Sequence, residues 1–112
     1  MEPYFEISVD SEGQFQFNLY NKSGELMLMG GQHDNQESAE QTIKEVRVGT
    51  LMSTQIAVGK TPAGEMFFVV KDGTGQVIAK SVLFASEMVF NNALHAVKDS
   101  ACVAEIRYLA VA

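Results

Sequence analysis

The residue pair in this chain most suited to chemistry is a histidine followed by a carboxylate. His33 and Asp34 stand just before a predicted helix, where an imidazole beside a carboxylate could act as a general base or a metal ligand. No second His or Cys stands at metal-ligand spacing, and no nucleophile motif is nearby. Because an active site needs more than two adjacent residues, we interpret the pair as part of a solvated loop. The sequence predicts no catalytic residue and no metal site.

Two other reactive side chains belong to a later helix and its end. His95 stands beside Leu94 at a position that we expect to be exposed or at a boundary, and Cys102 follows the helix. A lone buried cysteine usually behaves as a small hydrophobic residue, which is the role we expect here. The glycines at 30–31 and 73–75 lead into no Gly-Lys-Ser/Thr sequence, so they match no phosphate-binding loop. We therefore predict that the protein is not an enzyme and holds no cofactor.

Length and charge limit the classes of partner. The chain has 112 residues, which is about one domain, and 46 % of them are hydrophobic. A net charge of −6 disfavours non-specific binding to nucleic acid or to an anionic membrane, since both surfaces repel an acidic protein. The single cysteine, Cys102, forms no internal disulfide and suits a reducing compartment. With no secretion signal and no apolar run of membrane-spanning length, the chain is predicted to be cytoplasmic.

A β-hairpin pattern that occurs twice organises the rest of the sequence. Residues 64–81 combine an aromatic and β-branched run, a polar turn at 72–75 and a second apolar run. The same pattern appears 51 positions earlier, at residues 13–30. The register continues downstream, because Asn35 and Ser86, both good helix N-caps, are also 51 positions apart. These matches predict that the chain is an internal duplication.

Periodicity assigns strands and a helix to each repeat. Phe15, Phe17 and Leu19 alternate with polar residues, which is typical of a half-buried antiparallel strand. The predicted strands are at 4–9, 14–20, 25–30, 55–60, 66–70, 77–79 and 104–110, and the predicted helices are at 35–47 and 87–99. The predicted fold class is α+β, with tandem β-β-β-α-β repeats at about 4–53 and 55–110 in a single domain, 1–112. The repeats form one antiparallel sheet of about seven strands with both helices on one face.

A Gly-Glu or Gly-Gln step after a polar turn begins the third strand of each repeat. The step stands in Ser23-Gly24-Glu25-Leu26 and in Thr74-Gly75-Gln76-Val77, while Phe5-Glu6-Ile7 carries the first strand. Together these segments, within residues 4–108, resemble the YegP-like family of small bacterial proteins of uncharacterised function. The resemblance implies a repeated β-β-β-α-β unit in one continuous sheet, with the terminal strands exchanged between units. It implies no catalytic residue.

The predicted open face of the sheet differs between the repeats. The first repeat carries polar residues there, whereas the second carries Phe67 and Val69, and Phe84 follows in a later loop. Since a contiguous apolar patch marks a partner surface, we predict that Phe67, Val69 and Phe84 form an interaction surface. The predicted function is a non-catalytic binding module whose partner is a second copy of the chain or another protein. The alternative is a small-ligand binding protein or weak enzyme that uses the loops near His33 and Phe84.

Overall fold

The computed structural model describes residues 2–109, which form a seven-stranded sheet with two helices. The strands are β1 (Tyr4–Val9), β2 (Phe15–Tyr20), β3 (Leu26–His33), β4 (Ile56–Lys60), β5 (Met66–Lys71), β6 (Val77–Ser81) and β7 (Glu105–Tyr108). The helices are α1 (Gln36–Gly49) and α2 (Glu87–Val103), and a 3₁₀ turn (Ser53–Gln55) precedes β4. Across the sheet the strand order is β4-β5-β6-β3-β2-β1-β7.

The α+β class is confirmed, and the sheet is mixed rather than wholly antiparallel. Every neighbouring pair of strands within residues 2–109 is antiparallel except β1 and β7, which run parallel with Phe5 beside Ile106. Parallel strands that are neighbours in a sheet require a crossover connection, and α2 is part of the chain that connects β1 to β7. Alternation of side chains carries no information on strand direction, which is why the sequence predicted antiparallel pairing throughout. The predicted end of β7, residue 110, lies outside the described residues.

The hydrophobic core lies between the helices and one face of the sheet. Phe17 and Phe68, which the sequence places on this face, are fully buried. Phe68 meets Phe90 of α2 edge to face with 6.0 Å between ring centroids, and Phe17 meets Phe5 in the same way at 6.2 Å. The other buried helix residues are Ala39, Ile43, Val46 and Gly49 of α1 and Val97 and Ala101 of α2.

Both helices begin where the sequence predicts and end later. The side-chain oxygen of Asn35 accepts a hydrogen bond from the Ser38 N–H at 2.8 Å, and that of Ser86 accepts one from the Val89 N–H at 3.2 Å. Each cap satisfies a backbone donor that has no partner inside the helix. Beyond their caps, α1 runs two residues and α2 four residues past the ends that the sequence predicts.

Gly49 closes α1, and its role is close packing rather than the helix stop that a terminal glycine indicates. A Cβ at this position would lie 2.7 Å from Cγ1 of Val70 and 3.0 Å from the carbonyl oxygen of Lys71. The missing side chain therefore lets the end of α1 approach β5. Thr50 follows, fully buried, and its hydroxyl donates to the Arg47 carbonyl oxygen at 3.0 Å.

The hairpin turns of the two halves of the chain share their hydrogen bonds. In the β2–β3 turn the Gly24 N–H donates to the Asn21 carbonyl oxygen at 2.9 Å. In the β5–β6 turn the Gly75 N–H donates to the Asp72 carbonyl oxygen at 3.1 Å. Both glycines have positive φ angles, 81° and 91°, which glycine adopts without a steric cost. The backbone hydrogen bonds of one turn thus recur 51 positions along the chain.

Candidate functional site

Phe67 and Val69 lie on the sheet face opposite the buried Phe68, and no helix of the described chain covers that face. The Phe67 ring lies over Gly59 of β4, so closely that a Cβ on Gly59 would come within 2.4 Å of ring atom Cζ. The Lys80 ammonium stands 4.7 Å from the ring centroid, in a cation–π contact. Neighbouring residues therefore already cover part of Phe67, and less of the ring is free for a partner than the sequence indicates.

Phe84 lies on the other face of the sheet. Its backbone exchanges two hydrogen bonds of 2.8 Å with Met66, and the two residues form an isolated antiparallel bridge. Directly paired residues point to the same face, so the Phe84 side chain shares the helix-covered face with Met66 and Phe68. Its ring contacts Phe90 of α2 with 6.1 Å between centroids. The predicted surface of Phe67, Val69 and Phe84 is therefore divided between two faces. Strand alternation does not determine the path of the loop after β6, so it did not indicate on which face Phe84 lies.

A pocket of about 460 Å³ opens beside Phe84, and we call it the Phe84 pocket. It lies between α2 and the start of β3. The apolar side chains that line it include Leu26, Met27, Val82, Phe84, Ala93 and Ala96. The polar residues that line it are Asn21, Glu25 and Asn92. Pockets of about 300–1,000 Å³ with mainly apolar walls and a few polar groups are typical sites for small molecules.

A second pocket, of about 270 Å³, contains His33, and we call it the His33 pocket. It lies between the end of β3, the middle of α1 and the β5–β6 turn. Its walls are more polar than those of the Phe84 pocket, since Thr42 and Glu45 face it from α1 and Asp72 and Gln76 from the turn. The sequence anticipated the loops near His33 and Phe84 as the alternative binding region, and both of them border pockets.

The two pockets occupy equivalent positions in the two halves of the chain. Nearly every residue that lines the His33 pocket has a counterpart 51 positions away that lines the Phe84 pocket. The matched pairs are Gly31 and Val82, His33 and Phe84, Thr42 and Ala93, Glu45 and Ala96, Asn21 and Asp72, Glu25 and Gln76, Leu26 and Val77, and Met27 and Ile78. The positions are the same and the chemistry differs, because the imidazole, hydroxyl and carboxylate of one pocket are replaced by a phenyl ring and two methyl groups in the other.

His33 packs into the fold at the end of β3, whereas Asp34 is exposed in the bend that follows, so the interpretation of the pair as a solvated loop holds for Asp34 and is corrected for His33. Its Nδ1 lies 3.0 Å from the Ser38 hydroxyl, and its ring stacks on Phe17 with 5.9 Å between centroids. Burial lowers the pKa of His33 from its ordinary value, and the nearby Asp34 carboxylate offsets part of that effect. Nε2 is buried without a hydrogen-bond partner in residues 2–109. The imidazole is therefore mainly neutral at pH 7.

The remaining reactive side chains do not assemble into a catalytic group. His95 and Cys102 are both exposed, and the Cys102 thiol lies 3.4 Å from the Lys98 carbonyl oxygen. The expectation that Cys102 is a buried hydrophobic residue is therefore wrong, because α2 extends past it and turns it to solvent.

Among residues 2–109, no three His, Cys, Asp or Glu side chains are grouped to hold a metal ion. No helix in the same part of the chain is long and apolar enough to span a bilayer.

Sequence reasoning missed the pockets themselves, although the signal was present. The 51-residue register that aligned the turns also aligns His33 with Phe84 and Glu45 with Ala96. Each pocket is closed by residues from both halves of the chain, such as Asn21 and Phe84. Which half covers which turn depends on the strand order in the sheet, and this order is not visible in the local pattern.

Comparison with known proteins gives the chain a family. No family model matches it. It is 32 % identical over 87 residues to a UPF0339 protein of Pseudomonas aeruginosa, and the alignment covers 78 % of this chain and 79 % of the relative. The chain belongs to the UPF0339 family. The UPF0339 protein YegP of Escherichia coli K12 is a further relative, 28 % identical over 98 residues, with 88 % of this chain and 89 % of YegP aligned. The family resemblance seen in the sequence is confirmed.

Solved structures of UPF0339 proteins have the same fold. The solution structure of a UPF0339 protein from Shewanella oneidensis matches with a TM-score of 0.91 at 23 % identity, covering 97 % of this chain and 92 % of that one. The solution structure of yegP from E. coli matches with a TM-score of 0.88 at 25 % identity, covering 96 % and 93 % of the two chains. The latter is described as a protein of unknown function. The comparisons therefore support the architecture and name no activity.

Proposed function

We propose that this UPF0339 protein is a non-catalytic binding module made of two repeats, and that the Phe84 pocket is its binding site. The observation that carries the proposal is the Phe84 pocket itself, a space of about 460 Å³ with apolar walls and three polar residues. Apolar walls favour binding through the hydrophobic effect, and a few polar groups orient the ligand. None of the residues that line the pocket is a His, Ser or Cys, which supports binding rather than catalysis.

Two features support the duplication. The β2–β3 and β5–β6 turns have the same hydrogen bonds and the same positive-φ glycines 51 positions apart. The caps of the two helices have the same spacing and the same bonding pattern. In a duplicated chain the Phe84 pocket is free to diverge from the His33 pocket, whose imidazole is held by stacking on Phe17 and by the Ser38 hydroxyl. The exposed thiol of Cys102 supports a cytoplasmic location, where thiols remain reduced.

The test is a titration with a small apolar probe followed through backbone amide signals. We expect indole to shift the amides of Met27 and Ala93 saturably in ¹H–¹⁵N correlation spectra. The matched variant is Ala96→Glu, which places in α2 the residue type that α1 carries at position 45. It should weaken indole binding about tenfold or more, because a carboxylate then occupies an apolar wall. Saturable shifts confined to other surfaces, or an unaltered affinity in the variant, would exclude the Phe84 pocket.

A second candidate function is self-association through the open sheet face. Met29, 37 % exposed, and Val69 flank Lys80 in one cross-strand row on this face, next to Phe67. A sheet face of this kind can pack on a second copy of itself. Light scattering of the wild type should then give a mass above the 12.2 kDa of one chain, and Phe67→Asp should restore that value. An identical mass for the two proteins would remove this candidate.

A further inference from the structure

The Phe84 pocket has one ionisable group in its lining. Glu25 is an exposed residue of the β2–β3 turn, and every other residue of the lining is apolar or neutral. Its counterpart in the His33 pocket, Gln76, is neutral, while that pocket has its carboxylates at other positions. The Phe84 pocket therefore combines an apolar interior with a single negative charge at its rim, and none of its lining residues carries a compensating positive charge.

The Glu25 side chain is held in place by the turn that it belongs to. The Asn21 side-chain amide donates to Glu25 Oε1 at 3.2 Å. The other end of that amide is fixed as well, since Asn21 Oδ1 accepts the backbone N–H groups of Ser23 and Glu25 at 2.9 Å each. A side chain already bound in its working position loses little conformational freedom when a ligand arrives. Asn21 and Glu25 thus present an oriented carboxylate beside the apolar walls.

We infer that the Phe84 pocket binds organic amines that have an apolar, preferably aromatic, body. The apolar part would contact the walls around Phe84 and Ala93, while the ammonium group would pair with the Glu25 carboxylate. The inference rests on the proposed function, because it requires the pocket to bind ligands at all. Since Glu25 is exposed, the ion pair contributes selectivity rather than most of the affinity.

Three probes with the same indole body separate the contribution of the head group from that of the body. Tryptamine carries an ammonium group, tryptophol a neutral hydroxyl and indole-3-acetate a carboxylate. Isothermal calorimetry together with amide shifts should give the affinity order tryptamine, tryptophol, indole-3-acetate. We expect tryptamine to bind about fivefold more tightly than tryptophol, as one exposed ion pair provides. The preference should shrink when the salt concentration rises, because dissolved ions screen exposed charges.

The deciding variants are Glu25→Gln and Glu12→Gln. Glu25→Gln gives the Phe84 pocket the residue type found at position 76, so it should abolish the preference for the amine and leave tryptophol binding unchanged. Glu12→Gln removes the same charge from the exposed β1–β2 turn, outside the pocket, and should leave the preference intact. Equal binding of tryptamine and tryptophol by the wild type would overturn this inference while leaving the binding module in place. A preference reduced equally by both variants would also overturn it, and failure of all three probes to bind would overturn both proposals.

Discussion

At the scale of single residues, burial distinguishes two adjacent phenylalanines of β5. Phe68 is fully buried against Phe90, so Phe68→Ala should lower the free energy of unfolding by about 3–5 kcal/mol. Phe67 is half-buried across Gly59 and beneath Lys80, so Phe67→Ala should cost about 1–2 kcal/mol. Urea unfolding of the two variants checks the difference. Equal losses would contradict the assignment of the two rings to opposite faces.

A second residue-scale prediction concerns the pH dependence of stability at His33. Burial lowers the pKa of His33 in the folded protein, so the unfolded chain takes up a proton at higher pH. The stabilising contribution of the neutral imidazole is complete above the ordinary value of 6.5 and is lost as the pH falls from there toward the lower folded pKa. The free energy of unfolding of the wild type should therefore fall in this window on acidification.

The matched variant for this effect is His33→Phe, which carries the residue type of the equivalent position 84. Denaturant titrations at a series of pH values should show a smaller decrease for His33→Phe than for the wild type. His95→Gln, at an exposed site, is the control and should retain the decrease. A pH profile that His33→Phe leaves unchanged would show that other groups cause the acid sensitivity.

At the scale of elements, Gly49 at the end of α1 distinguishes the effect of helix propensity on stability from the effect of packing. In an exposed helix, replacing Gly by Ala stabilises by about 1 kcal/mol. At Gly49 the new Cβ would meet Val70 and the Lys71 carbonyl oxygen at 3.0 Å or less, so Gly49→Ala should destabilise by about 1–3 kcal/mol. Thermal unfolding gives the sign, with Val48→Ala on the exposed side of the same helix as a near-neutral control. A raised melting temperature for Gly49→Ala would show that α1 does not approach β5 as closely as described.

Element type was readable from the sequence, whereas element direction and contact were not. Alternation at Phe15, Phe17 and Leu19 identified β2 and its inner face, and the caps at Asn35 and Ser86 identified the helix starts, because these signals are local. The parallel pairing of β7 with β1 and the placement of Phe84 beneath α2 depend on contacts between segments distant in the chain. Local patterns do not contain that information.

At the scale of the whole molecule, the candidate site arises from the way in which the two halves meet. Both the Phe84 pocket and the His33 pocket combine a turn from one half with a helix and a loop from the other, so neither of these two pockets is formed by one half alone. The sequence predicted the repeat and pointed to the loops near His33 and Phe84. Which turn of the opposite half each loop lies beside depends on the strand order, which the sequence did not reveal. The residue type differs at every matched position of the two pockets, and the change in polarity is large at some of them, such as Glu45 against Ala96.

The central claim, that the Phe84 pocket binds ligands, is tested most directly by contacts between a ligand and the protein in solution. Intermolecular nuclear Overhauser effects between the ring protons of tryptophol and the methyl groups of the protein provide this measurement. We expect contacts to Met27, Ala93 and Ala96, whose side chains line the pocket. Contacts to residues of the open sheet face in their place, or no contacts at a saturating concentration of tryptophol, would contradict the account.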